Sequence, residues 1–191
     1  MNETVGDFVM GIIVVTGIPG VGKTTVMKNA AEGMDIKFVT FGTVMAEIAK
    51  EMGFVKDRDE MRKLTLEQQK ELQIKSAEKV ASMGNVILDT HCTIKTPRGY
   101  MPGLPEWVIK KLNPTAIVIV EADPEEIYNR RANDPTRNRD PDSKEQIAEH
   151  QMINRATAMA CAALTGSTVK IVFNHDNAID AAVKEAASVL E

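Results

Sequence analysis

Eight consecutive residues, Gly17-Ile18-Pro19-Gly20-Val21-Gly22-Lys23-Thr24, satisfy the spacing G-x-x-x-x-G-K-[ST]. The residue types at the fixed positions describe one chemistry, the holding of a polyphosphate. Gly17, Gly20 and Gly22 let the backbone take conformations barred to residues with a Cβ, so successive N–H groups can turn inward around an anion. Lys23 is spaced to reach the β- and γ-phosphates, and the Thr24 hydroxyl to ligate Mg²⁺. A second set is made of arginines. Moving a phosphoryl group between two anions asks for positioning, exclusion of water and distributed positive charge, which planar guanidinium groups supply best. Arg130, Arg137 and Arg139 read as such a clamp opposite Lys23, whereas Arg131 reads as a solvated surface charge. Arg58 and Arg62 are i,i+4 neighbours if their segment is helical; they reach an acceptor phosphate or pair with Asp57, Asp59 and Glu60. Asp89 is the carboxylate at the end of an apolar run, and meets the metal through water. His91, His150 and His175 lack metal-ligand spacing and read from their surroundings as structural.

These groups need elements to carry them. Residues 8–16 form an apolar, β-branched run that predicts a buried parallel strand, and Thr24 onward is helix-compatible, which is the strand, loop, helix order a P-loop requires. Further strands are predicted over 36–40, 86–89, 115–121 and 168–173, alternating with helices. Thr43 is predicted to cap a helix through Met52. Thr65 with Gln68, Asp123 with Glu126 and Ser143 with Gln146 have the capping-box spacing. Residues 41–83 are a mostly helical excursion between two strands. Residues 90–105, rich in proline and glycine, are predicted to be an ordered loop over the sheet's active edge. Asp134-Pro135 breaks a helix, so 134–142 reads as a short lid. Five apolar strands alternating with helices predict a three-layer α/β P-loop fold with a parallel sheet, in one domain over 1–191.

Composition narrows the function classes. The 191 residues carry a net charge of −4, which argues against a broad nucleic-acid or anionic-membrane surface, so a basic site must be local. Cys92 and Cys161 form no C-x-x-C pair and suit a reducing compartment as buried thiols. No apolar run approaches the ~20 residues needed to span a bilayer, and a cytoplasmic protein is expected. Among P-loop proteins, a GTPase calls for D-x-x-G and N-K-x-D; this chain has Asp89-Thr90-His91-Cys92 and Asn174-His175-Asp176-Asn177. A motor or transporter ATPase calls for a glutamate beside the metal-proximal aspartate, where Thr90 stands. What remains is a kinase, with a nucleotide-dependent binding or assembly factor as the reading from another class.

The P-loop, Phe41-Gly42-Thr43-Val44-Met45, Asp57-Arg58-Asp59-Glu60-Met61-Arg62-Lys63-Leu64, Asp89-Thr90-His91 with Ile94-Lys95-Thr96-Pro97, Gly103-Leu104-Pro105 and Thr136-Arg137-Asn138-Arg139 together resemble the archaeal-type adenylate kinases. The resemblance runs from the first strand to the last helix. It implies reversible transfer of the ATP terminal phosphoryl to AMP giving two ADP, with Mg²⁺, and a cytoplasmic homotrimer serving adenine nucleotide balance. Carried over by position, Gly17, Ile18, Pro19, Gly20, Val21, Gly22, Lys23, Thr24 and Thr25 hold ATP. Arg130 lies at the lid base, and Arg137 and Arg139 close on the transferring group. Gly42, Thr43, Arg58, Arg62 and His91 serve AMP, within or beside the 41–83 excursion. A four-cysteine lid site is missing, so no structural zinc is expected. A kinase for CMP, UMP or dTMP is the neighbouring alternative.

Overall fold

The computed structural model describes residues 11–134 and 142–191. Its centre is a parallel sheet of five strands in the order β2-β3-β1-β6-β7: β1 (Ile12–Thr16), β2 (Lys37–Thr40), β3 (Val86–Asp89), β6 (Ala116–Glu121) and β7 (Thr168–Phe173). The three inner strands are buried at every residue, as an all-parallel sheet covered on both faces demands. The strand period of two sends alternate side chains to opposite faces. Ile12 and Val14 therefore join one core with Leu88, Ile117 and Ile119, while Ile13 and Val15 join another with Ile87, Val118 and Val120.

Helices close both faces. α2 (Phe41–Glu51), α3 (Leu66–Ala81), α4 (Glu106–Leu112) and the second half of α6 (Lys144–Thr165) cover the first core through Val44, Ile48, Leu72, Val80, Ile109 and Ala158. α1 (Lys23–Ala30), α5 (Pro124–Ala132), Ile147 of α6 and α7 (Ile179–Ala187) cover the second. All three capping boxes form, at the starts of α3, α5 and α6. No helix among the described residues is long and apolar enough to cross a membrane.

Two segments differ from their sequence expectation. Residues 90–105 are not an irregular loop throughout: β4 (Thr93–Thr96) and β5 (Gly99–Pro102) pair antiparallel, with Thr93 opposite Pro102. Thr96 ties the turn, its hydroxyl donating to the Gly99 carbonyl at 2.8 Å and accepting from the Arg98 amide at 3.2 Å. Four-residue strands flanked by two prolines carry too little periodic signal to stand out in sequence. In the second case α2 starts at Phe41, directly on Thr40 of β2. Thr43 therefore lies inside the first turn rather than capping it, because no loop separates strand from helix.

Register decides what meets at the carboxyl edge. Val15 of β1 and Thr40 of β2 both pair with Asp89 of β3, which sets the strand-end carboxylate beside the P-loop's entrance. Open α/β sheets collect ligands at that edge.

Candidate active site

The P-loop leaves β1 at Thr16 and enters α1 at Lys23. Ile18 and Val21 anchor it, buried at 2% and 1% exposure in the second core, so its backbone faces outward while two side chains hold it down. Gly20 and Gly22 adopt φ of +95° and +81°, a region open mainly to glycine. Beyond the loop, Lys23 Nζ stands 3.2 Å from one Asp89 carboxylate oxygen, and the Thr24 hydroxyl donates to the other at 2.9 Å. Asp89 is 7% exposed, and both of its carboxylate oxygens are thus partnered, as a buried polar group requires. A hydroxyl and a carboxylate side by side are hard oxygen donors, a set that suits Mg²⁺ retaining several of its waters. Thr25 is exposed on the first turn of α1.

The chain after β3 runs along the loop. The Thr90 amide donates to the Val15 carbonyl at 3.0 Å, and the Cys92 amide to the Thr16 hydroxyl at 2.9 Å. His91 is thus held between the P-loop and the hairpin. Burial, followed by the Lys23 charge, pushes its imidazole below the usual histidine range. A cavity of about 570 Å³ opens there, lined by Pro19, His91, the 93–97 strand and turn, Arg131, Asp142, Gln146 and His150. His150 is 5% exposed, its Nε2 3.1 Å from the Thr93 hydroxyl. Burial depresses its imidazole as well.

The arginines are distributed differently from the sequence reading. Arg130 bonds Asp176 through Nε at 2.8 Å and Nη2 at 2.6 Å, and also donates to the Asn174 carbonyl at 2.8 Å. It is therefore fixed on the loop after β7. Arg131, expected to be solvated, is instead 10% exposed in its side chain. Its Nε donates to the Pro19 carbonyl at 2.8 Å, and its Nη1 to Asp142 at 2.8 Å. Asp142 also receives Lys95 Nζ at 2.5 Å. Burial opposes charge on Asp142, yet the two cations hold its carboxyl below the ordinary range. Neighbouring residues on a helix point about 100° apart, so two consecutive arginines serve two different loops. Arg137 and Arg139 lie outside the described residues, as does most of the 134–142 segment.

On the other side of the sheet's edge, a Cβ on Gly42 would stand 3.0 Å from Arg58 Nη2, so that guanidinium lies over the start of α2. Arg58 and Arg62 are both exposed on either side of the 3-10 turn's first residues, Asp59–Lys63 being its span. The neighbouring carboxylates are engaged elsewhere: Asp57 accepts from the Asp59 and Glu60 amides, and Glu60 from the Lys56 amide. Neither arginine forms an ion pair with a described residue. Thr43 is exposed on the first turn of α2.

Asp142 and Asn174 carried no site role in the sequence reading; Arg131 and His150 were read there as a solvated charge and a structural histidine, and Lys95 entered only within the Ile94-Lys95-Thr96-Pro97 segment. Asn174 sits 8% exposed at the carboxyl end of β7, its Nδ2 donating to the Val21 carbonyl at 2.8 Å. A polar residue ending an apolar strand was the available signal. His150 gave none, since the helical pattern of α6 does not say which turn faces a cavity.

A family model described as "AAA domain" matches residues 16–148, from the end of β1 into α6. The adenylate kinase of Methanothermobacter thermautotrophicus is 52% identical over 185 residues, covering 95% of this chain and 100% of that protein. The adenylate kinase of Methanocaldococcus jannaschii is 52% identical over 188 residues, covering 94% and 98%. Among solved structures, a shikimate kinase from Acinetobacter baumannii in complex with shikimate superposes with a TM-score of 0.60 at 18% identity, over 95% of this chain and 93% of that one; that likeness concerns the fold.

Proposed function

The chain belongs to the adenylate kinases and is a phosphotransferase of that family; on this premise we propose how its residues carry out ATP + AMP giving two ADP. The backbone amides of Gly17 to Thr25 and the Lys23 ammonium hold the ATP phosphates, with the α1 N-terminus adding its positive end. Thr24 directly, and Asp89 through water, would hold Mg²⁺, which would supply neutralisation of phosphate charge. Arg130 works at the ATP side, and Arg137 and Arg139 close on the moving group. Gly42, Thr43, Arg58, Arg62 and His91 receive AMP, so that 41–83 is the acceptor-binding part and 134–142 a short lid within a single domain.

Transfer is in line, with no covalent enzyme intermediate. The acceptor phosphate is already anionic, so no strong general base is needed, and water must be kept out because it would compete as acceptor. The observation that carries this reading is the triangle of Lys23, Thr24 and Asp89 at the P-loop's exit, with Arg58, which has no ion pair among the described residues, over Gly42 across the edge. Two anions can be met there from opposite sides.

We further propose that the chain works in the cytoplasm as a homotrimer. Support for self-association comes from an exposed apolar stripe on α6, Met152 and Met159, beside Phe173 of the edge strand β7; Arg155 of the same helix lies over the Phe173 ring. Exposed apolar patches of this kind mark association surfaces.

The deciding experiment is incubation with ATP, Mg²⁺ and AMP, CMP, UMP or dTMP in turn, with products resolved by chromatography. ADP formed only with AMP is expected; preferential turnover of another monophosphate would overturn the acceptor assignment, and ATP binding with no transfer to any of them would overturn the kinase reading.

A further inference from the structure

Resting on the reading that the P-loop holds ATP phosphates, we infer that Arg131 and Asn174, two residues outside the loop's sequence motif, are positioning residues that aim its amides before the nucleotide arrives. Each grips one carbonyl of the loop: Arg131 Nε holds Pro19 O at 2.8 Å, and Asn174 Nδ2 holds Val21 O at 2.8 Å. In a trans peptide the carbonyl and the following N–H point in opposite directions. Fixing the Pro19 carbonyl toward Arg131 turns the Gly20 N–H away from it, and fixing the Val21 carbonyl toward Asn174 does the same for Gly22. Among the described residues neither glycine amide finds an acceptor, so both remain free for an anion on the concave side.

The glycines record the same two contacts independently. A Cβ on Gly20 would lie 3.1 Å from Arg131 Cγ, and one on Gly22 only 2.6 Å from Asn174 Nδ2. The two side chains therefore press on the loop at Gly20 and Gly22, where its φ is +95° and +81°. Both are themselves held. Arg131 is paired with Asp142; the Asn174 amide donates to the Glu121 carbonyl at 2.7 Å, and its own carbonyl accepts from Arg130. A peptide plane left free to rotate would present its carbonyl oxygen to the phosphates part of the time, replacing attraction by repulsion. Preorganised amides avoid that reorganisation when the anion binds.

The test pairs two variants with readouts that a general loss of stability would not separate. Asn174→Asp is nearly isosteric but sets an acceptor against the Val21 carbonyl. Arg131→Lys keeps a positive charge but loses the fork that reaches Pro19 and Asp142 together. Calorimetric titration with a non-hydrolysable ATP analogue and Mg²⁺ is expected to show about tenfold weaker binding in each variant, the scale of one lost hydrogen bond to a charged group. The KM for AMP should change less than the analogue affinity, since neither substitution touches Gly42 or Arg58 on the other side of the sheet edge. Analogue binding within about twofold of the parent in both variants overturns the inference. Full rescue by Arg131→Lys overturns it for Arg131, because charge alone would then suffice. A parent protein that binds the analogue but forms no ADP leaves the loop geometry standing and sinks the functional reading instead.

Discussion

At the scale of single residues, charge compensation dominates. Asp89 is buried and shared by Lys23 and Thr24, so the lysine proposed to bind phosphate is held in place by a carboxylate. On the proposed function, Arg137 and Arg139 act later, on charge that develops during transfer. Arg139→Ala is therefore expected to lower kcat by about 10³-fold or more while weakening ATP binding far less; equal losses in kcat and affinity, measured by steady-state kinetics and titration, would contradict that role. The histidines make a second prediction. Burial depresses His91 and His150, with Lys23 adding to the effect at His91 and Arg131 and Lys95 at His150, which Asp142 opposes. Between those lowered values and the ordinary value of about 6.5 the unfolded chain binds more protons than the folded one, so stability drops as pH falls through the window and is retained above it. Thermal melts from about pH 7 down to about pH 5 should show a falling Tm, and His150→Gln should flatten part of that fall. An identical pH slope in the variant would refute the assignment to His150.

Secondary-structure elements deliver these residues to one place. α6 begins at a capping box, Ser143 accepting from the Gln146 amide at 3.3 Å and Gln146 returning a bond to the Ser143 amide at 2.9 Å. Its first turns then bring Gln146 and His150 to the cavity, and its buried Asn154 accepts from Thr93 of the hairpin at 3.2 Å. Ser143→Ala removes one of the two reciprocal cap bonds and is expected to cost about 1 kcal/mol of stability, read as a lower midpoint in urea unfolding with an unchanged m-value; an unchanged midpoint would mean that the cap contributes nothing. Parts of this organisation were legible from residue types. Capping boxes are local, spanning three residues, so Thr65, Asp123 and Ser143 announced their helices. The β4–β5 hairpin was not legible, because its four-residue strands are too short for alternation to show and its one buried residue, Thr93, is tied to α6 by contacts distant in sequence.

For the whole molecule, the topology brings α6 and β7 to one side of the sheet with Met152, Met159 and Phe173 exposed. An edge strand flanked by an apolar helix stripe is a surface that proteins cover or protect. Sedimentation equilibrium at micromolar concentration is expected to give a mass about three times 20.9 kDa, and Met159→Lys, which sets a charge in the stripe, should shift the population toward monomer. A monomer in the parent protein would remove the trimer. The same topology brings Cys92 and Cys161, distant in sequence, beside one another in the first core, where the Cys161 sulfur and burial push the Cys92 thiol up. Their chain separation carried no hint of that neighbourhood.

Local, contiguous or strictly periodic features were decided by the sequence alone: the P-loop, the alternation of apolar strands with capped helices, and the strand-end Asp89. Each depends on the chemistry of a few adjacent residues or on a repeat fixed by backbone geometry. Tertiary structure alone decided which of two adjacent arginines grips the loop, that Asn174 reaches Val21 across 153 residues, and that Arg58 lies over Gly42. Those contacts follow from strand order and register, which bring distant segments to one edge, and no short stretch of chain contains that information.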